Sequence, residues 1–275
     1  MKTEELIDVN KFAEMADIYV TDSTSAEEVT GLPDRSIIFA HDARTAAVNV
    51  FPHIADSSKK YVVITARDLP VDQRRFDSIP ASVLKWFGNN VTHHSSLTHG
   101  IPIGLPPLNL VFNPDDGKTG PDKRAEICQL IETEKEIENL VYVNHLNRTN
   151  NGEREHLYSS FKKFPWTTCK GGDKRINYSE YIRDVHSHQY MLSPPGKGID
   201  CHRVWESLYL GTTPIVKRSS AMSWFSELPI IFVDDFSQVN PEFLTNESVK
   251  LKDKSLDMLK MSYWESLIRQ AQNNL

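Results

Sequence analysis

The chain is short of cysteine, of long apolar runs and of positive charge. Only three cysteines, Cys128, Cys169 and Cys201, occur in 275 residues, odd in number and widely spaced. That pattern argues against a disulfide framework and for a reducing compartment. No stretch reaches the length and apolarity of a membrane span, and the first residues are acidic and polar, unlike a signal peptide. A cytoplasmic location is therefore expected. With 31 Lys and Arg against 37 Asp and Glu, the formal net charge is −6. No general basic field draws nucleic acid or an anionic membrane, so any phosphate has to be held by local cations. Short-period repeats and low-complexity tracts are absent. No G-x-G-x-x-G opens the first strand–helix unit, which leaves a phosphosugar-modifying enzyme of the Rossmann type without support. His93, His94 and His99 lack the acidic or cysteine companions of a zinc site and read as loop residues. The four Asn-X-Ser/Thr sequons, at Asn90, Asn147, Asn177 and Asn246, read as chance in a chain without a secretory signal.

What the chain does have is the stretch from Ser193 to Val216, SPPGKGIDCHRVWESLYLGTTPIV. Ser193-Pro194-Pro195-Gly196-Lys197-Gly198 is a turn-rich run that excludes regular structure. Asp200 reads as an N-cap, and Cys201, Val204, Trp205 and Leu208 recur at helical spacing as one buried stripe. Gly211 ends the helix, and Thr213 to Val216 begins a strand. A glycine-rich loop feeding a helix N-terminus gathers free N–H groups at the positive end of a dipole, which suits a phosphate or diphosphate. His202 and Arg203 share a helix face with Glu206. The plain reading is an Arg203–Glu206 ion pair on a solvated surface. Their place directly after the loop favours a nucleotide-sugar site, in which Arg203 and the loop amides hold phosphates and Glu206 accepts from ribose hydroxyls.

The order of loop, Asp200, His202-Arg203, Trp205-Glu206, Leu210 to Val216 and the later Leu228 to Asp235 resembles the exostosin-like glycosyltransferases. The resemblance is strong from Tyr190 to Val239. It is weaker but traceable elsewhere, in Lys85 to Asn90, Ile101 to Leu105 and Val141 to Asn150. It implies an α/β protein of GT-B architecture, two facing Rossmann-like doubly wound domains with a cleft between them. It also implies transfer of a sugar from a nucleotide-sugar to a hydroxyl of a glycan acceptor, with inversion. A UDP-sugar is the favoured donor, UDP-xylose the best guess, and no metal cofactor is required. Golgi members of that family usually carry a membrane anchor; the expectation here is a soluble relative, or a chain from which the anchor has been removed. A GDP-sugar-dependent transferase and a noncatalytic carbohydrate-binding relative of the same fold stay as alternatives.

Along the chain, Asp17 to Val20, Ser36 to Ala40 and Tyr61 to Thr65 are short apolar runs that look like buried parallel strands. A long irregular stretch from Gly100 to Gly120 and a helix near Lys123 to Ile131 follow. Leu140 to Val143 then opens a second series of alternating helices and strands. The expected division is residues 1–138 for an acceptor-side domain and 139–258 for a nucleotide-sugar-binding domain. A C-terminal helix over 259–275 is expected to pack back toward the first.

Ligands of doubly wound sheets sit at the carboxyl ends of the strands. On the donor side, Asn147, Arg148, Thr149 and Arg154 join Ser193, Pro195, Gly196, Gly198, Asp200, His202, Arg203 and Glu206 as candidates. Asp234-Asp235 is read as capping or sugar-contacting, not as a metal site. On the acceptor side, transfer needs a base. Asp42 and Asp68 follow their strands directly and are the first candidates, with Asp42 favoured and His41 third; an ordinary N-cap role competes for both carboxylates.

Overall fold

A computed structural model describes residues 2–106 and 123–273. Most of the stretch expected to be irregular, from residue 107 on, lies outside the described residues. Among the described residues, ten parallel strands form two five-stranded sheets. The first contains β1 (Ile18–Val20), β2 (Ser36–Ala40), β3 (Tyr61–Thr65), β4 (Val83–Gly88) and β5 (Thr98–Gly100). The second contains β6 (Asn139–Leu146), β7 (Thr167–Gly172), β8 (His188–Leu192), β9 (Thr213–Lys217) and β10 (Ile231–Val233). Strands β2 and β3 are buried along their whole length and pair Ile37 with Val62 and Phe39 with Ile64. Their unbroken β-branched and aromatic runs suit strands covered on both faces.

The two sheets are wound differently. The second has the order β7-β6-β8-β9-β10, so the chain leaves β6 in one direction and later returns past it in the other. This is a doubly wound sheet, with its switch point between β6 and β8, where ligands of such sheets bind. The first runs β1-β2-β3-β4-β5 without reversal. Right-handed crossovers that all step the same way place their connections on one face. Val29, Ala43, Ala46, Val50, Phe51, Val71 and Val91 accordingly share one core with Ile38, Val63 and Trp86. The expectation of a doubly wound first domain is thereby corrected, because a monotonic strand order leaves no switch point.

The other face of the first sheet is covered by the chain ends and by the second half. Phe12 from the N-terminal helix and Trp264 and Ile268 from the C-terminal helix Met261–Asn273 join Ile37, Phe39, Val62 and Ile64. The same core continues into Val204, Trp205 and Leu208. The C-terminal helix packs on β3 and β4 and is pinned to the start of β2, where Arg35 and Gln272 exchange hydrogen bonds of 2.9 and 2.8 Å. Its buried Met261, Trp264 and Ile268 follow the helical period.

Candidate functional site

The helix of the motif runs from His202 to Tyr209. Its N-cap position is Cys201, without a side-chain bond, and not Asp200 as the sequence suggested. The reason lies across the molecule. Asp200, 2% exposed, accepts from Ile103 N at 2.8 Å and from Trp205 Nε1 at 2.9 Å, so its carboxylate binds the first half of the chain. Burial pushes its pKa up to about 7. The helix is also buried on all sides from Val204 on, not along one stripe. It closes as the sequence indicated: Gly211 sits at φ 66°, and Gly211 N and Thr212 N bond back to Leu208 O and Ser207 O in a Schellman motif.

Two arginines converge on the loop before this helix. Arg154, 3% exposed, donates from Nε to Pro195 O at 2.9 Å and from Nη2 to Pro194 O at 3.0 Å, and from Nη1 to Leu146 O and to Thr149 Oγ1. It clips the loop after β8 to the loop after β6. It is thus an organiser of the loop, where the sequence reading had it helping on phosphate. Its pKa is lowered to about 10, first by burial and then by the charge of Arg203. Arg203 Nη1 reaches Pro194 O and Cys201 Sγ, both at 3.4 Å. Among the described residues neither arginine forms an ion pair with a carboxylate.

Glu206 turns away from Arg203. It is 4% exposed and accepts from Tyr181 Oη at 2.8 Å, so the plain ion pair is absent and the ribose role has an internal competitor. Burial, and after it the Glu206 charge, holds Tyr178 and Tyr181 well above the usual phenol range. The remaining loop groups divide. Asn90 Oδ1 takes the amides of Ile199 and Asp200 at 2.9 and 2.8 Å, and Gly196 N bonds to Gly198 O. Ser193 N pairs with Ile215 O. The amides of Lys197 and Gly198 make no hydrogen bond among the described residues. After β6, Arg148 is exposed, while Asn147 is buried beside Asp173 with its Oδ1 unpartnered among the described residues.

The carboxyl ends of the two sheets face each other across this loop. A Cβ placed on Gly198 would lie 3.0 Å from Asp68 Oδ1 and 3.1 Å from Asn90 Nδ2. Asn90, in the sequence a sequon and the last residue of the segment Lys85 to Asn90, is the hub. Besides the two loop amides, its Nδ2 donates to Arg67 O at 3.1 Å and, more weakly, to Asp68 O. Asn90 and Arg67 both have positive φ, 54° and 73°, and Asn89 Oδ1 holds Arg67 N at 3.0 Å. An arginine in this conformation costs on the order of 1–3 kcal/mol and persists where its surroundings over-determine it. His202 Nδ1 donates to Gly104 O at 2.8 Å, a further tie between the halves. The signal for Asn90 was its place in Lys85 to Asn90, one of the segments that carried the family resemblance.

The acceptor-side candidates separate. Asp42 caps the turn Ala43–Thr45, its Oδ1 accepting from Thr45 N at 2.7 Å and Thr45 Oγ1 at 3.0 Å. Asp68 is exposed beside the loop. His41 Nδ1 lies 2.7 Å from Tyr19 Oη, and burial, followed by the Arg67 charge, lowers its pKa. Asp235 caps Phe236–Gln238 in a capping box, and Asp234 pairs with Arg218 at 3.0 Å. His94 and His99 lie against Trp224, at 4.0 and 4.6 Å between ring centroids, and His93 against Phe76. Among the described residues no three His, Cys, Asp or Glu side chains gather in a metal-binding group. No described helix is long and apolar enough to cross a membrane.

Compared with models of known protein families the sequence matches none, and no curated protein matches it either.

Proposed function

We propose that the chain is a glycosyltransferase, GT-B-like in its doubly wound second half, that binds the diphosphate of a nucleotide-sugar, a UDP-sugar in the first instance, between β6 and β8 and transfers the sugar to a glycan hydroxyl. One observation carries this reading: two guanidinium groups meet at the switch point of the doubly wound sheet with no carboxylate among the described residues paired to them. Such a site favours a dianionic ligand, and its cations gain most when charge develops on a leaving diphosphate.

Arg154 fixes the loop and adds charge, while Arg203, half-buried, supplies the direct contact together with the amides of Lys197 and Gly198. A divalent ion is then dispensable. The opposed carboxyl ends, joined through Asn90, Asp200 and His202, give the acceptor a place on the first sheet's side. A panel of UDP- and GDP-sugars, scored by thermal shift and by hydrolysis in the presence of EDTA, tests the reading. Protection by UDP and turnover of one UDP-sugar are expected. No protection by any nucleotide contradicts it and favours the noncatalytic alternative, and activity lost to EDTA and restored by Mn²⁺ contradicts the metal-free part.

A further inference from the structure

We propose that the acceptor hydroxyl enters a pocket at the carboxyl ends of β1, β2 and β3, and that His41, oriented by Tyr19, is the base that deprotonates it. The inference rests on the reading of the chain as a glycosyltransferase and adds the acceptor subsite and its base.

The pocket encloses about 80 Å³. Its walls are largely apolar, Phe39 and Ile103 among them, and its polar lining residues are Asn10, Tyr19, His41, Arg67 and His202. Space on this scale takes several water-sized groups, roughly one edge of a sugar ring. The pocket brings together both sides of the reaction: His41 comes from the first sheet, and His202 is the first residue of the helix that carries Arg203. An acceptor in the pocket therefore lies beside the N-terminus that holds the diphosphate in the proposed donor site.

Geometry separates His41 from the two carboxylates. Neither Asp42 nor Asp68 lines the pocket. Asp42 Oδ1 is committed to its cap, and Asp68 is exposed beside Gly198. His41 lines the pocket and has one ring nitrogen anchored, Nδ1 to Tyr19 Oη at 2.7 Å. Tyr19 also stands edge-on to Phe39, 5.1 Å between centroids, which fixes its ring. With Nδ1–H donating to Tyr19, the Nε2 lone pair is left for a substrate proton. The acceptor proton passes to Nε2 as the oxygen forms its bond to the anomeric carbon. The bond from that carbon to the diphosphate breaks, its electron pair leaving on the diphosphate beside Arg203. Tyr19 is the positioning residue.

The charged and titratable groups around His41 are Tyr19 on β1, Arg67 after β3, His202 from the motif helix, and Asp42 and Asp22. Burial and Arg67 lower its pKa and the two carboxylates raise it, with the lowering dominant. The imidazole is then neutral near pH 7, and the rate is lost on the acid side, below the ordinary value of 6.5.

The test compares wild type with His41→Gln, His41→Ala and Tyr19→Phe, using the UDP-sugar that wild type turns over and methyl glycosides as acceptors. Calorimetry with UDP and the nitrogen-15 resonances of the His41 ring accompany the rates. The His41 variants are expected to lose on the order of a hundredfold or more in kcat with UDP affinity retained, and the acid limb of the pH profile with it. In wild type the His41 resonances are expected to report the Nδ1–H tautomer, and in Tyr19→Phe a mixture, with kcat lowered and the acceptor KM little changed. Full transfer by folded His41→Gln, or an Nε2–H tautomer in wild type, overturns the assignment of the base while leaving the donor site standing. Failure of wild type to bind UDP overturns the glycosyltransferase reading and this inference with it.

Discussion

At the residue scale, Arg203 reaches back to the loop while Glu206 turns inward. Arg203 was picked out as a cation directly after a glycine-rich loop, and it does reach back to Pro194 in that loop. Glu206 was read as its neighbour on a shared face, yet a rotation of part of a turn carries it inward onto Tyr181. Sequence spacing gives the face of a helix only to within such a rotation, and here both sides of the helix are covered. The consequence is measurable. Glu206→Gln keeps an oxygen for the Tyr181 hydroxyl, so donor KM and UDP affinity are expected to change less than about threefold, the scale of a single neutral-for-charged hydrogen bond exchange. A rise in donor KM of tenfold or more shows instead that Glu206 reaches the nucleoside. The two arginines differ in the opposite way. Arg154, placed with phosphate by its position after β6, proves to be a loop clip because four backbone and side-chain oxygens surround it.

At the element scale, the strands that are buried on both faces were visible as unbroken apolar runs: β2 and β3 match their predicted limits. Strands β4 and β5 were not. Lys85 interrupts the first, its Nζ bonding to Ser96 O, and the second is only three residues long, Thr98–Gly100. Missing β4 concealed Asn90, which lies just past the strand's end and links the loops of both halves. Its backbone φ of 54° favours Asn or Gly. Asn90→Gly therefore removes the side-chain bonds without backbone strain, and Asn90→Ala adds roughly 1–2 kcal/mol of left-handed strain. Hydrogen exchange at the Ile199 and Asp200 amides is expected to quicken by tenfold or more in Asn90→Gly, with the second sheet's strands unaffected. Unchanged protection of those two amides contradicts the role of Asn90 as the link. Strand order likewise escaped the sequence, because the direction of each crossover depends on which neighbour the next strand pairs with.

At the scale of the whole molecule, one core runs from the first sheet through the C-terminal helix to the motif helix, so the two sheets are expected to unfold together. Histidines held neutral by burial make the fold's stability depend on pH. His41, His99, His145, His186 and His188 all have pKa values lowered chiefly by burial, His145 from 6.5 to about 4. A group whose folded pKa is depressed contributes stability above its unfolded value, and that stability is lost as pH falls toward the folded value. His145 alone accounts for about 3 kcal/mol over this window. Asp200 opposes the trend, since its raised pKa favours the fold as pH falls from about 7 toward 4. The two groups oppose each other, so the variant is read against wild type: from pH 7 to pH 5 the Tm of His145→Gln is expected to gain on that of wild type, and a Tm difference between the two proteins that does not change with pH contradicts the account.

The central claim is a diphosphate site built on Arg203, and a calorimetric titration of UDP into wild type and Arg203→Ala tests it most directly. The account predicts saturable binding to wild type and a loss on the order of ten- to a hundredfold in the variant, the scale of one charge-assisted contact to a phosphate. The Tm of the variant is expected to change little, since among the described residues the Arg203 side chain holds a carbonyl and a thiol, both at 3.4 Å. Equal UDP affinity in the two proteins, or none in wild type, contradicts it.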